Sequence, residues 1–365
     1  MKKTSANRQK SVRVTLRHVA EEAGVSVATV SDIVNRGRSE SYTAQMQQRV
    51  HAAIRQLGYR PTLAARTLRR GRSDTVGVIL TRNFDNPYYA RLFNEIKTAL
   101  EPNQLSVELM LLDASRPGMA RRCSDRMFSQ GVDAIIIGPL YYWDQILVKE
   151  LGDLKNFNTP VITFGAVQES AFAHNVSFHD DGGGEIAAGH LVDAGHRRIA
   201  FLGAYDPEDA HLGRGSIQEG FVRGLTQRQL RLNNEWFFPS PDDGKFQSGF
   251  DHALGFARRW LATSAADRPT ALMCKNDQLA IAALAALHRS GVRVPDDLSV
   301  MGYDNVPESG YTIPALSTVD SGVATRVHEI ALRLFNLIGP GNEPLRQPPP
   351  HTPQLVARDS VRPPK

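Results

Sequence analysis

From residue 74 onward, short apolar runs alternate with helix-length amphipathic stretches, and this pattern leaves few folds open. TVGVIL at 75–80, VELMLLD at 107–113, DAIIIG at 133–138 and PVITFG at 160–165 read as strands. Residues 88–100 and about 117–129 read as helices between them. The series resumes with IAFLG at 199–203, TALMC at 270–274 and LSVMGYD at 298–304, and closes on a short strand near 354–358. Strands alternating with helices form parallel sheets covered by those helices. The 365 residues leave room for two such lobes. Ligands of open parallel sheets bind at the carboxyl ends of the strands. No apolar run approaches the roughly 18–20 residues that span a bilayer, and the basic start lacks the apolar segment of a secretion signal. Cys123 and Cys274 form no CxxC, so two core thiols in a reducing compartment are expected, not a disulfide framework or a zinc site.

The charge is distributed unevenly. Residues 1–72 carry 15 Lys and Arg against 4 Asp and Glu, whereas the remainder carries 28 against 34. A basic head on an acidic body points to a polyanionic partner. Within that head, TLRHVAEEAGVSVATVSDIVN at 15–35 reads as two helices joined by a tight turn. Thr15 suits an N-cap, and Leu16, Val19, Ala20 and Ala23 share one face. Gly24 supplies a helix stop, and Ser26 caps a second helix with Val30, Ile33 and Val34 inward. A third helix runs from about Thr43 to Leu57, burying Met46, Val50, Ala53, Ile54 and Leu57. Spacing alone also permits a small helical bundle with no ligand.

VAEEAGVSVATVS, LGYRPTLAARTLRRGRSDTVGVIL, NPYY at 86–89, GHRRIAFLG at 195–203, KNDQLAIAAL at 275–284 and GVRVPDDLSVMGYDN at 291–305 occur in order. On these words the chain resembles the LacI/GalR (lac repressor/galactose repressor) family of transcriptional regulators over about residues 15–360. The resemblance implies an all-α helix-turn-helix head plus an α/β body of two Rossmann-like lobes of periplasmic-binding-protein type. The expected divisions are a basic arm at 1–14, a DNA-binding domain at 15–60, a hinge helix and linker at 61–73, and an effector-binding and dimerisation domain at 74–365. The first lobe takes about 75–165 and 320–346, and the second about 166–319 and 347–365. The chain would cross between them near 165, 319 and 347.

The second helix of such a head enters the major groove with its N-terminal residues at the base edges. Here these are Val27 and Ala28, with Asp32 one turn on. By resemblance Ser26, Thr29, Ser31 and Asn35 contact phosphates or orient the helix, and Thr15 joins them. Val27 and Ala28 offer apolar contact, for instance to a thymine methyl. Many relatives carry Arg where Asp32 stands. A carboxylate can only accept, for example from cytosine N4. Two readings stand for Asp32: it shifts the preferred operator, or it pairs with a nearby Arg and reads nothing. In PTLAARTLRR at 61–70, the resemblance makes Arg66 and Leu68 part of a hinge helix that wedges the minor groove.

In the body, strand ends nominate Tyr88, Tyr89, Phe164, Asn276 and Asp304 as effector contacts. For Asp277, capping is favoured over ligand contact. The family has an effector-clamping Arg three residues before the Gly-Phe of 220–221, but here that position is Ile217. Arg214 is a substitute, and the alternatives are an unusual effector or none. GGG at 182–184 does not follow a strand as a dinucleotide fingerprint requires, and it reads as a turn between the lobes. No metal site, cofactor motif or assembled catalytic group is expected.

The expectation is a cytoplasmic, dimeric regulator, a repressor, binding double-stranded operator DNA of pseudo-palindromic sequence. A small sugar-like effector would control it, with no membrane partner, no cofactor and no enzymatic activity. No heptad helix follows the body, so a C2 homodimer is expected. A regulator without effector control is the rival, and a solute-binding protein a more distant one.

Overall fold

The computed structural model describes residues 14–34, 41–60, 71–112, 116, 118–141, 145–152, 159–165, 174–204, 215–239, 246–339 and 352–365. The chain divides into two compact units, Met1–Ser73 and Asp74–Lys365.

The head holds α1 (Leu16–Ala23), α2 (Val27–Val34) and α3 (Ala44–Leu57). The Thr15 N–H donates to His18 Nδ1 at 3.1 Å, satisfying a donor at the start of α1. Gly24 ends that helix at φ 62°, a conformation glycine adopts without strain. Thr29 N donates to Ser26 Oγ at 3.0 Å, and Met46 N to Thr43 Oγ1 at 3.3 Å, so both hydroxyls cap as expected. The Arg49 guanidinium donates to the carbonyls of Ala23 and Gly24, placing a cation on the electronegative end of α1. Val19, Ala20, Ala23, Val30, Ile33, Val50, Ala53 and Tyr59 form the core. Leu16, Val34, Met46, Ile54 and Leu57 are half-buried, because three short helices cannot enclose them.

In the body, β1 (Thr75–Leu80), α4 (Pro87–Leu100), β2 (Ser106–Leu111), α5 (Met119–Gln130), β3 (Ala134–Leu140), α6 (Gln145–Gly152), β4 (Val161–Gly165) and β5 (Asn175–Ser177) build the first lobe. Its parallel sheet has the order β2-β1-β3-β4-β5. Val76, Val78 and Leu80 face one core and Ile79 the other, the two-residue period of a strand buried on both faces.

The second lobe follows with α7 (Asp181–Asp193), β6 (Ile199–Ala204), α8 (Ile217–Gln227), β7 (Phe237–Pro239), α9 (Phe246–Ala262), β8 (Ala271–Cys274), α10 (Asp277–Arg289) and β9 (Ser299–Met301). Its parallel sheet has the order β7-β6-β8-β9. Then β10 (Thr318–Asp320) leads to α11 (Val323–Leu337), whose Val327, Ile330 and Leu334 pack into the first lobe's core. Finally β11 (Gln354–Val356) pairs antiparallel with β10, and Val300 N donates to Ser360 O at 2.9 Å, returning the chain to the second lobe.

Two expectations are corrected. The first sheet does not end near 165: β5 adds a strand, so the chain leaves that lobe only after Ser177. NVS is short and two-thirds polar, and carries no apolar run to announce it. The glycines at 182–184 lie within the first turns of α7, not in a turn between lobes. A Cβ on Gly184 would stand 2.2 Å from the Ile217 carbonyl oxygen, and one on Gly220 would stand 1.7 Å from that of Asp181. Glycine at both positions lets α7 and α8 cross almost backbone to backbone. The expected crossing near 347 lies outside the described residues.

Candidate functional site

The outward face of α2 follows from its period. Val30 and Ile33 are buried, and Ala28 and Asp32, four apart, lie on the opposite side. Val27 is 45 % exposed. Thr15, Ser26 and Ala28 are exposed, and Thr29, Ser31 and Asp32 half-buried. Ser26 Oγ and Thr29 Oγ1 are 2.9 Å apart. Among the described residues the partner of Asp32 is Tyr42, whose Oη donates to Asp32 Oδ2 at 2.8 Å. Asn35, Arg66 and Leu68 lie outside the described residues, as does Arg214.

In the body a polar cluster forms where the two lobes meet. Asp180, between β5 and α7, is its hub. Tyr303 Oη donates to Asp180 Oδ1 at 2.8 Å, and Arg326 Nη2 donates to the same oxygen. Arg326 is only 5 % exposed, and its guanidinium carbon stands 4.7 Å above the Phe178 ring. Burial raises the hydroxyl pKa of Tyr88 and of Tyr303, so both stay protonated donors. Tyr88 meets Tyr89 edge-on with ring centroids 5.3 Å apart, and Tyr89 Oη is 3.5 Å from Tyr141 Oη.

Asp304 follows β9 with φ 107°, and Asn305 with φ 51°. Two successive non-glycine residues in the left-handed region store strain, which the surroundings must hold. Asp304 N donates to Val319 O at 2.9 Å, and Asn305 Nδ2 to Asp320 Oδ2 at 2.9 Å. Beneath the loop lies the fully buried Asp277. Its carboxylate accepts from Thr318 Oγ1 at 2.6 Å and from Val306 N at 2.9 Å. Burial pushes the Asp277 carboxyl up to about 7, against the pull of those two donors. Burial also raises Asp304 well above the carboxylate range, reinforced by Asp277 and Asp180 and opposed by Arg326 and Arg91.

Further contacts join the lobes here. Arg91 of α4 donates to the Asn305 carbonyl at 3.1 Å and stands 3.7 Å from Asp320. Gln278 of α10 donates to the Asp85 carbonyl at 2.9 Å. The structure thus brings Tyr88, Tyr89 and Asp304 into one neighbourhood. Two nominated residues have other tasks. Phe164 is fully buried in the first lobe's core, its ring 5.4 Å from that of Phe178, and so supports the site from below. Asn276 Oδ1 accepts from Leu279 N at 2.9 Å, so Asn276, not Asp277, caps α10. Ile217 opens α8, half-buried against the second lobe's core.

Sequence reasoning missed Asp180, Tyr303, Arg326, Phe178 and Arg91. One signal was legible: Arg326 falls on the apolar stripe of Val323, Val327, Ile330 and Leu334, where a cation needs a buried partner. Among the described residues, no group of His, Cys, Asp and Glu is placed to hold a metal ion, and no helix is long and apolar enough to cross a membrane.

Residues 15–62 match the family model of bacterial regulatory proteins, lacI family, and residues 188–361 match that of the periplasmic binding protein-like domain. The HTH-type transcriptional repressor PurR of Mannheimia succiniciproducens is 31 % identical over 352 residues, covering 95 % of this chain and 98 % of that protein. PurR of Vibrio vulnificus is 30 % identical over 359 residues, covering 95 % and 98 %. The solved lac repressor dimer bound to operator and the anti-inducer ONPF matches with a TM-score of 0.75 at 25 % identity, over 96 % of this chain and 100 % of that one. A complex of the transcriptional regulator CelR with cellobiose matches with a TM-score of 0.64 at 26 % identity, over the same shares.

Proposed function

The chain belongs to the lacI family of bacterial regulatory proteins, and on that premise we propose how its two units divide the work. It is a DNA-binding transcriptional regulator, acting as a repressor whose operator affinity answers to a small molecule. The head reads DNA. Helix α2 enters the major groove, with Val27, Ala28 and Asp32 toward base edges and Thr15, Ser26, Thr29 and Ser31 toward phosphates. Arg66 and Leu68 act at the minor groove. The body senses a carbohydrate-like effector between the lobes, through Tyr88, Tyr89 and Asp304, with Arg326 and Asp180 behind them. Aromatic faces beside a carboxyl group suit a polyol. A second copy docks on the body to give a C2 dimer. Tyr311 and Ile313, 86 % and 97 % exposed, offer apolar surface for it. The protein works in the cytoplasm and catalyses no reaction.

The observation that carries this reading is the capped α1–α2 pair presenting Val27, Ala28 and Asp32 outward, joined in one chain to a two-lobed body. Selection of bound duplexes from a random DNA library tests it. Enrichment of a two-fold symmetric site is expected, and salt-sensitive binding without any enriched site would contradict it.

Ile217 favours a second reading, a regulator without effector control. Within the protein Tyr303 and Arg326 already share Asp180 Oδ1, and Ile217, not a cation, opens α8. Calorimetry against a carbohydrate panel separates the two readings: saturable binding that changes operator affinity removes the second.

A further inference from the structure

One side-chain pair of the head ties the outward face of α2 to the segment before α3. Asp32 is on the outward face of α2, away from the core. Tyr42 reaches it from the segment before α3 and is held there. Its ring packs against the head core, its carbonyl accepts from Gln47 Nε2 at 3.0 Å, and its hydroxyl donates to Asp32 Oδ2 at 2.8 Å.

We propose that Tyr42 is the positioning residue for base readout by Asp32. It holds one carboxylate oxygen so that the other accepts the N4 amino group of a cytosine in the operator half-site. This rests on the reading that α2 enters the major groove. Three physical consequences follow. A donor already on Oδ2 lowers the cost of carrying a carboxylate near phosphates, because one oxygen is satisfied within the protein. Anchoring the carboxylate removes its rotamer freedom before DNA arrives, so less entropy is lost on binding. With its hydrogen spent on Asp32, the tyrosine adds no donor there. The pair therefore offers acceptors only, and a guanine, presenting O6 and N7 acceptors, is repelled at the same position. The preference is thus built from attraction to one base and rejection of its complement.

The test is duplex selection and competitive binding with the full-length wild type, Tyr42→Phe, Asp32→Ala and the double variant. Tyr42→Phe keeps the ring and its packing. The wild type is expected to enrich a symmetric site with cytosine at the contacted position. Tyr42→Phe is expected to enrich the same site with that preference weakened about fivefold to tenfold, and every other position unchanged. Its nonspecific affinity and salt slope should match the wild type, which a generally loosened head would not allow. Adding Tyr42→Phe to Asp32→Ala should change nothing further, because the two act as one unit. Identical base preferences in wild type and Tyr42→Phe, or a uniform loss at all positions, would overturn this assignment alone. Failure of the wild type to enrich any symmetric site would overturn it together with the DNA-reading head.

Discussion

In the head, each helix start is secured within three residues of sequence: Thr15 with His18, Ser26 with Thr29, Thr43 with Met46. In the inter-lobe cluster the partners are far apart along the chain. Tyr303 and Asp180 are separated by 123 residues, Arg326 and Asp180 by 146, Gln278 and Asp85 by 193, and Arg91 and Asn305 by 214. The caps of the head are thus local, while one shared core and Arg49 hold its three helices together. The cluster exists only when both lobes are in place, so it is placed to register a change in lobe geometry. That contrast matches the division of labour between reading and sensing, and it can be broken from either side.

The largest effect is expected from Arg326→Met. It leaves the half-buried Asp180 carboxylate with Tyr303 as its donor among the described residues, and removing one member of a buried ion pair costs up to about 3–5 kcal/mol. All three tryptophans, Trp143, Trp236 and Trp260, lie in the body, so denaturant unfolding followed by their fluorescence measures this loss. A loss below about 1 kcal/mol would show that the cluster does not bind the lobes together. Next comes Gly220→Ala. Its new methyl meets the Asp181 carbonyl and forces α7 and α8 apart, at a cost of about 1–3 kcal/mol by the same readout.

Ser26→Ala should be smaller and confined to the head. Losing the α2 cap costs about 1 kcal/mol. It should weaken DNA binding and lower helical content on mild heating, while tryptophan-reported unfolding stays as in the wild type. A shift in the tryptophan transition would contradict the separation of the two units.

Two further effects are pH-dependent and opposite in sign. Burial raises Asp277 to about 7, above its ordinary 3.8. Its contribution is full below about pH 4 and is lost as pH rises through 7. Burial lowers His196 from 6.5 to about 4, with its Nδ1 2.9 Å from Thr270 Oγ1. Its contribution is present above pH 6.5 and is lost as pH falls through 4. Asp277→Asn should therefore remove part of the decline in body stability toward neutral pH, and His196→Gln part of the decline toward acid. Denaturant midpoints between pH 4 and 8 check both. Profiles parallel to the wild type would show that neither group titrates as its burial dictates.

The same contrast explains what could be read in advance. Thr15, Gly24, Ser26 and Thr43 act through their own backbone neighbours, so their types and spacing announced the three helices almost to the residue. Apolar runs announced most body strands, but β5, β7 and β10 did not stand out: NVS and TVD carry no apolar run, and FFP is too short to show a strand period. Tyr88 and Asp304 were reachable from strand and helix ends. Asp180 and Tyr303 were not, because nothing local marks an aspartate as the acceptor of a tyrosine and an arginine more than a hundred residues away. The place of Phe164 beneath Phe178 was not legible, because a residue at a strand end looks the same in sequence whether it faces a cleft or lies beneath another ring.

The most direct test of the account is operator affinity of the full-length protein titrated with a panel of carbohydrates and their phosphates, for wild type and Asp304→Asn. Asparagine tolerates the left-handed backbone that Asp304 adopts, so the loop is retained. At least one compound should change wild-type operator affinity about fivefold or more, and the same compound should leave Asp304→Asn largely unaffected. Operator affinity that no compound shifts, or a shift that Asp304→Asn retains in full, would contradict control of the head through the site between the lobes.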